Sequence, residues 1–290
     1  MQNFKSYLLG QGKSQQTVTR YYNYVMELLN WCEDENLEIE QLRYNDLLLY
    51  VKSCKTRGNS VHTIKGKVGA LRLYFKWQIK QEIRTNNPAQ NLEIKGGERK
   101  KLYRILDQKA LESLYENYPS ETITDKRNKV MIGLMIWQGL GSAELQRMEL
   151  KDLRLKEGVI YISGSRTSNE RTLELRSLQM MELMEYQLQI RQELLKEKGT
   201  ESSKLFITTG SGDLLHNMLV KLVVKLKEIE PKITSLKQIR TSVITNWLKH
   251  YNTRKVQYMA GHKYVSSTEA FKVHDVDDLQ DDITKYHPIN

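Results

Sequence analysis

The chain has 290 residues, enough for two domains with cores of ordinary size, so it needs no disulfide or metal to hold it together. It carries 45 Lys and Arg against 35 Asp and Glu, a formal net charge of +10, which points to a polyanionic partner, nucleic acid before an anionic membrane. No uninterrupted stretch approaches the roughly 20 apolar residues that span a bilayer, and the opening MQNFKSYLLGQGKS lacks the apolar core and cleavage site of a secretory signal, so a cytoplasmic protein without a membrane partner is expected.

Taken in chain order, Ser14 is a capping hydroxyl ahead of a run with apolar residues at helical spacing, Val18, Tyr21 or Tyr22, Val25, Leu28, Leu29 and Cys32. A second helix is expected over YNDLLLYVKSCKTRG, ending near Gly58, and a longer third one over SVHTIKGKVGALRLYFKWQIKQE, with Ser60 as its cap. Basic residues cluster on these two helices: Lys52, Lys55, Arg57, Lys65, Lys67, Arg72, Lys76, Lys80 and Arg84, with Tyr74, Phe75 and Trp77 interleaved. Such a cluster suits a face laid against DNA phosphates, for which Lys55, Arg57, Lys65, Lys67, Arg72 and Lys76 are the candidates, although it also describes the solvated side of ordinary helices. The two cysteines, Cys32 and Cys54, lack metal-ligand spacing, so reduced thiols packed in a core are expected, with no metal and no cofactor.

The segment TNNPAQNLEIKGGERKK has an Asn-Pro step, paired glycines and a charge run, signs of a connection between domains. The expected division is a helical domain over 1–93, a linker over 94–100 and a second domain over 101–290. Beyond the linker, LDQKALESLYENYP and DKRNKVMIGLMIWQGLGSAELQRMEL read as helical, whereas GVIYISGSRTSNERTLELR alternates like a β-hairpin or small meander. Helices resume at LQMMELMEYQLQIRQELLKEKG, followed by a short strand-like KLFITTG, two more helical runs through Lys249 and a polar tail. The fold class is mainly α with a small β-sheet.

Four segments of the second half, in this order, resemble the boxes of the tyrosine recombinases, the phage integrase family. In WQGLGSAELQRMEL the slot of the family's first arginine holds Gly141, with Glu144 at the acidic position. The turn GSRTSNERTLEL resembles the hairpin that presents a lysine, with Arg166 in that place. TSLKQIRTSVITNWLKH resembles a His-x-x-Arg box, with Lys237 in the histidine slot and Arg240 in the arginine slot. MAGHKYVSSTEAFKVHD resembles the Leu-Gly-His motif whose tyrosine lies nine positions on, so that His262 is retained and Phe271 stands in the nucleophile's place. The basic helical half is similar to the core-binding, SAM-like domain of that family.

The resemblance implies attack of a phenolate on a backbone phosphorus, a 3′-phosphotyrosyl intermediate and no metal. Two arginines clamp the phosphate oxygens because a planar fork of donors fits them. It implies that Arg240 and His262 meet a phosphate of double-stranded DNA, that Lys237 and Arg166 supply charge as poor proton donors, and that protomers assemble as synaptic dimers or tetramers, the acidic tail before Tyr286 docking in a neighbour. Gly141 removes one arm of the clamp, for which Arg147 and Arg171 are conceivable stand-ins, and Phe271 removes the nucleophile, for which Tyr264 and Tyr286 are possible substitutes. Natural degeneracy and a tyrosine-to-phenylalanine replacement in a working enzyme both fit. So do a site-specific recombinase or integrase of a mobile element and a non-catalytic DNA-binding regulator on the same scaffold.

Overall fold

The computed structural model describes residues 2–96, 103–208 and 215–272, and the chain divides into two compact units, Met1–Lys101 and Leu102–Asn290. The first unit is helical: α1 (Gln2–Gly10), α2 (Gln15–Asp34), α3 (Tyr44–Thr56) and α4 (Val61–Lys80). Hydroxyl caps set two of the starts, Ser14 accepting from the Thr17 N–H and Ser60 from that of Thr63, and Gly58, at φ +75°, turns the chain between α3 and α4. The helix α1 has no counterpart in the expected elements. Its Phe4 and Leu8 are fully buried, and Phe4 packs edge-on against Tyr74 at 5.2 Å.

Burial sorts the basic cluster of α3 and α4. Tyr74, Phe75 and Trp77 belong to the core, with Trp31, Tyr50 and Leu71, so they are not a base-stacking row. The expectation of a charged face is corrected at two positions. The side chain of Lys67 is buried and paired with Glu27, because the helical period places it on the inner side of α4. Arg72 is half-buried and spends its guanidinium on the carbonyls of Ala89 (3.1 Å) and Leu92, stapling the segment after α4. Lys55, Arg57, Lys65 and Lys76 are exposed, although Lys65 donates to the Gly96 carbonyl at 2.6 Å. Cys32 and Cys54 are buried free thiols.

The second unit opens with α5 (Gln108–Glu116), α6 (Ile123–Trp137) and the short α7 (Ser142–Arg147). A three-stranded antiparallel sheet follows in the order β1 (Leu153–Arg154), β2 (Val159–Ile162), β3 (Arg171–Glu174), with Ile160 opposite Leu173 and Ile162 opposite Arg171. Then come α8 (Ser177–Glu185), a π-helical stretch (Tyr186–Ile190), α9 (Arg191–Lys198), α10 (Leu215–Ile229), α11 (Leu236–His250), α12 (Thr253–Ala260) and α13 (Val265–Glu269). The strand-like KLFITTG is not a strand over its described part, Lys204–Thr208: it pairs at one isolated bridge, Glu149 to Lys204, made by the Leu205 N–H on the Met148 carbonyl (3.0 Å) and the Leu150 N–H on the Ser203 carbonyl (2.9 Å).

The core of this unit is centred on α6, which is buried nearly all round from Val130 to Ile136 and is enclosed by α5, α8, α10 and α11. Gly139, at φ +61°, ends this rod over the ring of Trp247, where an added Cβ would stand 2.7 Å from the indole. That close approach aims the Gly139 carbonyl and α7 at one face of α11. Among the described residues no helix is long and apolar enough to cross a membrane.

Candidate active site

Four segments distant in sequence meet around one buried carboxylate. Glu144 lies in the first turn of α7, 5% exposed, and its Oε2 accepts from the Gly141 N–H (2.9 Å) and from Arg240 Nη1 (2.7 Å). Its Oε1 accepts from Arg171 Nη1 at 2.7 Å, with Arg147 Nη2 farther off at 3.8 Å. Burial alone would raise this carboxyl's pKa, but Arg171, Arg240 and the Gly141 N–H outweigh it and hold Glu144 below the usual carboxylate range.

Arg240, on the second turn of α11, is clamped on three sides. Nη1 donates to the Gly139 carbonyl as well as to Glu144, and Nη2 donates to the Ala260 carbonyl at 2.7 Å, the last turn of α12. These bonds account for three of five guanidinium N–H donors; the Nε–H and one Nη2–H have no acceptor among the described residues. The side chain remains 19% exposed. A Cβ on Gly141 would meet Arg240 Cδ at 3.4 Å and Nε at 3.9 Å, which is ordinary contact, and Gly141 has an extended backbone (φ −93°) open to any residue. The glycine is therefore not demanded by the turn. It leaves the Nε side of Arg240 uncovered.

His262 follows Gly261, which is at φ +68° and closes α12. Its Nδ1 lies 2.9 Å from Thr268 Oγ1, and its ring stacks on Phe271 with centroids 5.5 Å apart and an 18° tilt. Burial first, then the charges of Arg240 and Arg171, push its pKa from 6.5 down to about 4, so the ring is neutral near pH 7. With the folded value below the unfolded one, the unfolded chain takes up the proton first. Stability should thus fall as pH drops from about 6.5 towards about 4, and His262→Gln should flatten that part of a denaturation-versus-pH series. An unchanged slope in the variant would assign the loss to other groups.

The hairpin between β2 and β3 is tied to the same turn. Ser168 forms a bridge with His262, and the Asn169 N–H donates to the Gly261 carbonyl at 2.9 Å. Arg166 sits exposed at the tip of this loop, and Lys237 is exposed one turn before Arg240 on α11. The structure thus gathers Gly141, Arg240, His262 and Phe271, with Arg166 on the adjoining loop. Tyr264 stands 71% exposed at the start of α13, unlike the ring at 271, and Tyr286 and the acidic tail lie outside the described residues.

Sequence reasoning missed Thr268, for which a hydroxyl six positions after His262 gives no signal. It named Arg171 only as a stand-in. The strand's alternation could have placed it, since Arg171 shares the inward face of β3 with Leu173.

The phage integrase family profile matches residues 104–276, and that of the phage integrase N-terminal SAM-like domain matches residues 1–82. The first match alone spans more than half of the chain, which therefore belongs to the phage integrase family. Among curated relatives, tyrosine recombinase XerD of Oceanobacillus iheyensis is 27% identical over 285 residues, covering 96% of this chain and 94% of its own. Tyrosine recombinase XerC of Bacillus subtilis is 24% identical over 284 residues, covering 95% and 91%. The fold is shared with the XerH site-specific recombinase bound to a palindromic difH substrate (TM-score 0.71, 19% identity, 92% of this chain and 79% of that one). It is also shared with the Tn1549 transposon integrase in complex with transposon right end DNA (TM-score 0.66, 18% identity, 98% of both chains).

Proposed function

We propose that this chain is a site-specific recombinase or integrase that binds duplex DNA and holds one backbone phosphate at Arg240 and His262. The observation that carries the reading is the state of Arg240: fixed by Glu144, Gly139 and Ala260, with the Nε–H and one Nη2–H without an acceptor among the described residues, and with Gly141 leaving the Nε side open. A guanidinium fixed in advance with donors to spare loses little on meeting a phosphate oxygen, and it matches that oxygen better than an ammonium would. Neutral His262 offers a ring nitrogen beside it, and Lys237 and Arg166 add positive charge at the rim. The helical domain, 1–93, adds phosphate contacts from Lys55, Arg57, Lys65 and Lys76, and the linker, 94–100, leads to the catalytic-type domain, 101–290, whose copies assemble on DNA.

Phe271 and Gly141 favour a second reading, a DNA-binding regulator on the same scaffold. A phenyl ring has no oxygen to attack phosphorus, so no phosphotyrosyl bond forms at 271. Both readings require the phosphate site. With a labelled duplex at low salt, Arg240→Gln should weaken binding by about tenfold and lower the slope of log affinity against log salt by about 1, with helical content retained. Unchanged binding and slope would remove Arg240 from the interface and with it the reading. Selection of bound duplexes from random DNA should return a short inverted repeat.

A further inference from the structure

Arg171 is an inward-facing arginine on β3 whose side chain is fully buried, and only its Nη1 is bonded, to Glu144. Its Nε and Nη2 have no partner among the described residues. It packs directly under the turn that carries His262: a Cβ on Gly261 would lie 2.4 Å from Arg171 Nη1, so only glycine admits the guanidinium there. Glu144 is thus shared by two arginines, both at 2.7 Å. One carboxylate cannot neutralise two guanidiniums, so the cluster of Glu144, Arg171 and Arg240 keeps a net charge of +1. Without Arg171 the Glu144–Arg240 pair would be neutral, and the excess charge left for an incoming anion would be that of Arg147, 3.8 Å from Glu144 and itself 27% exposed, and of Lys237 and Arg166 at the rim.

We propose that Arg171 is a positioning residue that takes over the electrostatic part of the arginine missing at 141, by occupying one oxygen of Glu144 so that Arg240 stays uncancelled towards a phosphate. This rests on the proposed reading of Arg240 as the phosphate ligand. Arg171 does not touch the phosphate. It acts through Glu144 and through its own charge, at short range in a site largely shielded from water, where one unit charge matters more than at a surface. The influence of Arg171 on both Arg240 and His262, whose protonated forms it disfavours, fits this proximity.

The test is a set of full-length variants titrated with inorganic phosphate against chloride at matched ionic strength, read by 31P linewidth, and with one labelled duplex at low salt, read by anisotropy. Arg171→Met should weaken phosphate binding by roughly tenfold, and Arg171→Lys should retain it. The decisive variant is Arg171→Met with Glu144→Gln. Removing the carboxylate's charge restores +1 beside Arg240 and should restore affinity, whereas a merely structural role for Arg171 would leave the double variant worse than either single one. If Arg171→Met does not fold, Glu144→Gln alone raises the cluster to +2 and should tighten phosphate binding by roughly tenfold. Phosphate affinity unchanged in Arg171→Met, a double variant that is not rescued, or Glu144→Gln without gain overturns the proposal. Arg240→Gln separates the two levels: if it also binds phosphate and duplex like the unaltered protein, the phosphate site itself is lost, while an effect of Arg240 without one of Arg171 sinks this inference alone.

Discussion

On the proposed reading, Phe271→Tyr should become covalently joined to a nicked duplex and give a species that survives denaturing electrophoresis, where the chain with Phe271 should give none. The ring at 271 already stacks on His262, so a phenolic oxygen enters the site on a side chain whose placement exists. In the step itself the phenol gives its proton to solvent as its oxygen bonds to phosphorus, the P–O5′ bond breaks and the 5′-oxygen takes a proton from solvent. Burial and the neighbouring guanidiniums hold the His262 pKa at about 4, which makes its neutral imidazole a weak base, so it serves as a hydrogen-bond partner at the site and not as the acceptor of the phenol's proton. The linkage should be slow. A charge beneath the site does not replace the two N–H donors that an arginine at 141 would direct at the phosphate, and one such donor set is worth about 10² to 10³ in rate. Gly141→Arg added to Phe271→Tyr should therefore speed trapping, and the geometry at 141 allows the new Cβ. A Phe271→Tyr variant that binds with unchanged affinity and never links would establish the regulator instead.

The other large effect is on folding. Glu144→Ala should destabilise the second unit by about 3–5 kcal/mol, since it leaves two guanidiniums without a counter-charge in a site where Arg171 is fully buried and Arg240 mostly so. In a protein of this size each kcal/mol moves the melting midpoint by about 2–4 °C, so thermal unfolding followed by circular dichroism should shift down by roughly 10 °C. Inorganic phosphate should recover part of the loss, because an anion replaces the missing charge. A shift below about 1 kcal/mol would mean that water already solvates both arginines.

Much of this was legible in the sequence because it is encoded by residue types at fixed spacing. Ser14 and Ser60 cap the helices that they precede, the alternation in VIYI and RTLE forms the hairpin, and the boxes around Gly141, Arg240 and His262 converge. What escaped is written in backbone atoms or in burial. The acceptors that fix Arg240 are the carbonyls of Gly139 and Ala260, which have no side-chain signature and lie 101 and 20 residues away. Lys67 reads as a DNA-facing cation until the helix is packed, when its partner proves to be Glu27, 40 residues away. The helix α1 is short, and its reason to exist is the aromatic core that receives Phe4, which no local pattern announces. The strand expected in KLFITTG failed because its described part pairs only at Lys204, so local β-propensity had no ladder to join.

The bridge between Ser168 and His262 gives the loop at Arg166 a mechanical role. A hairpin free at its tip could bend into a groove of the duplex without disturbing anything else. This one is buttoned to the segment that carries the imidazole, so a displacement of its tip also pulls on His262, and the positions of Arg166 and of that ring are mechanically linked.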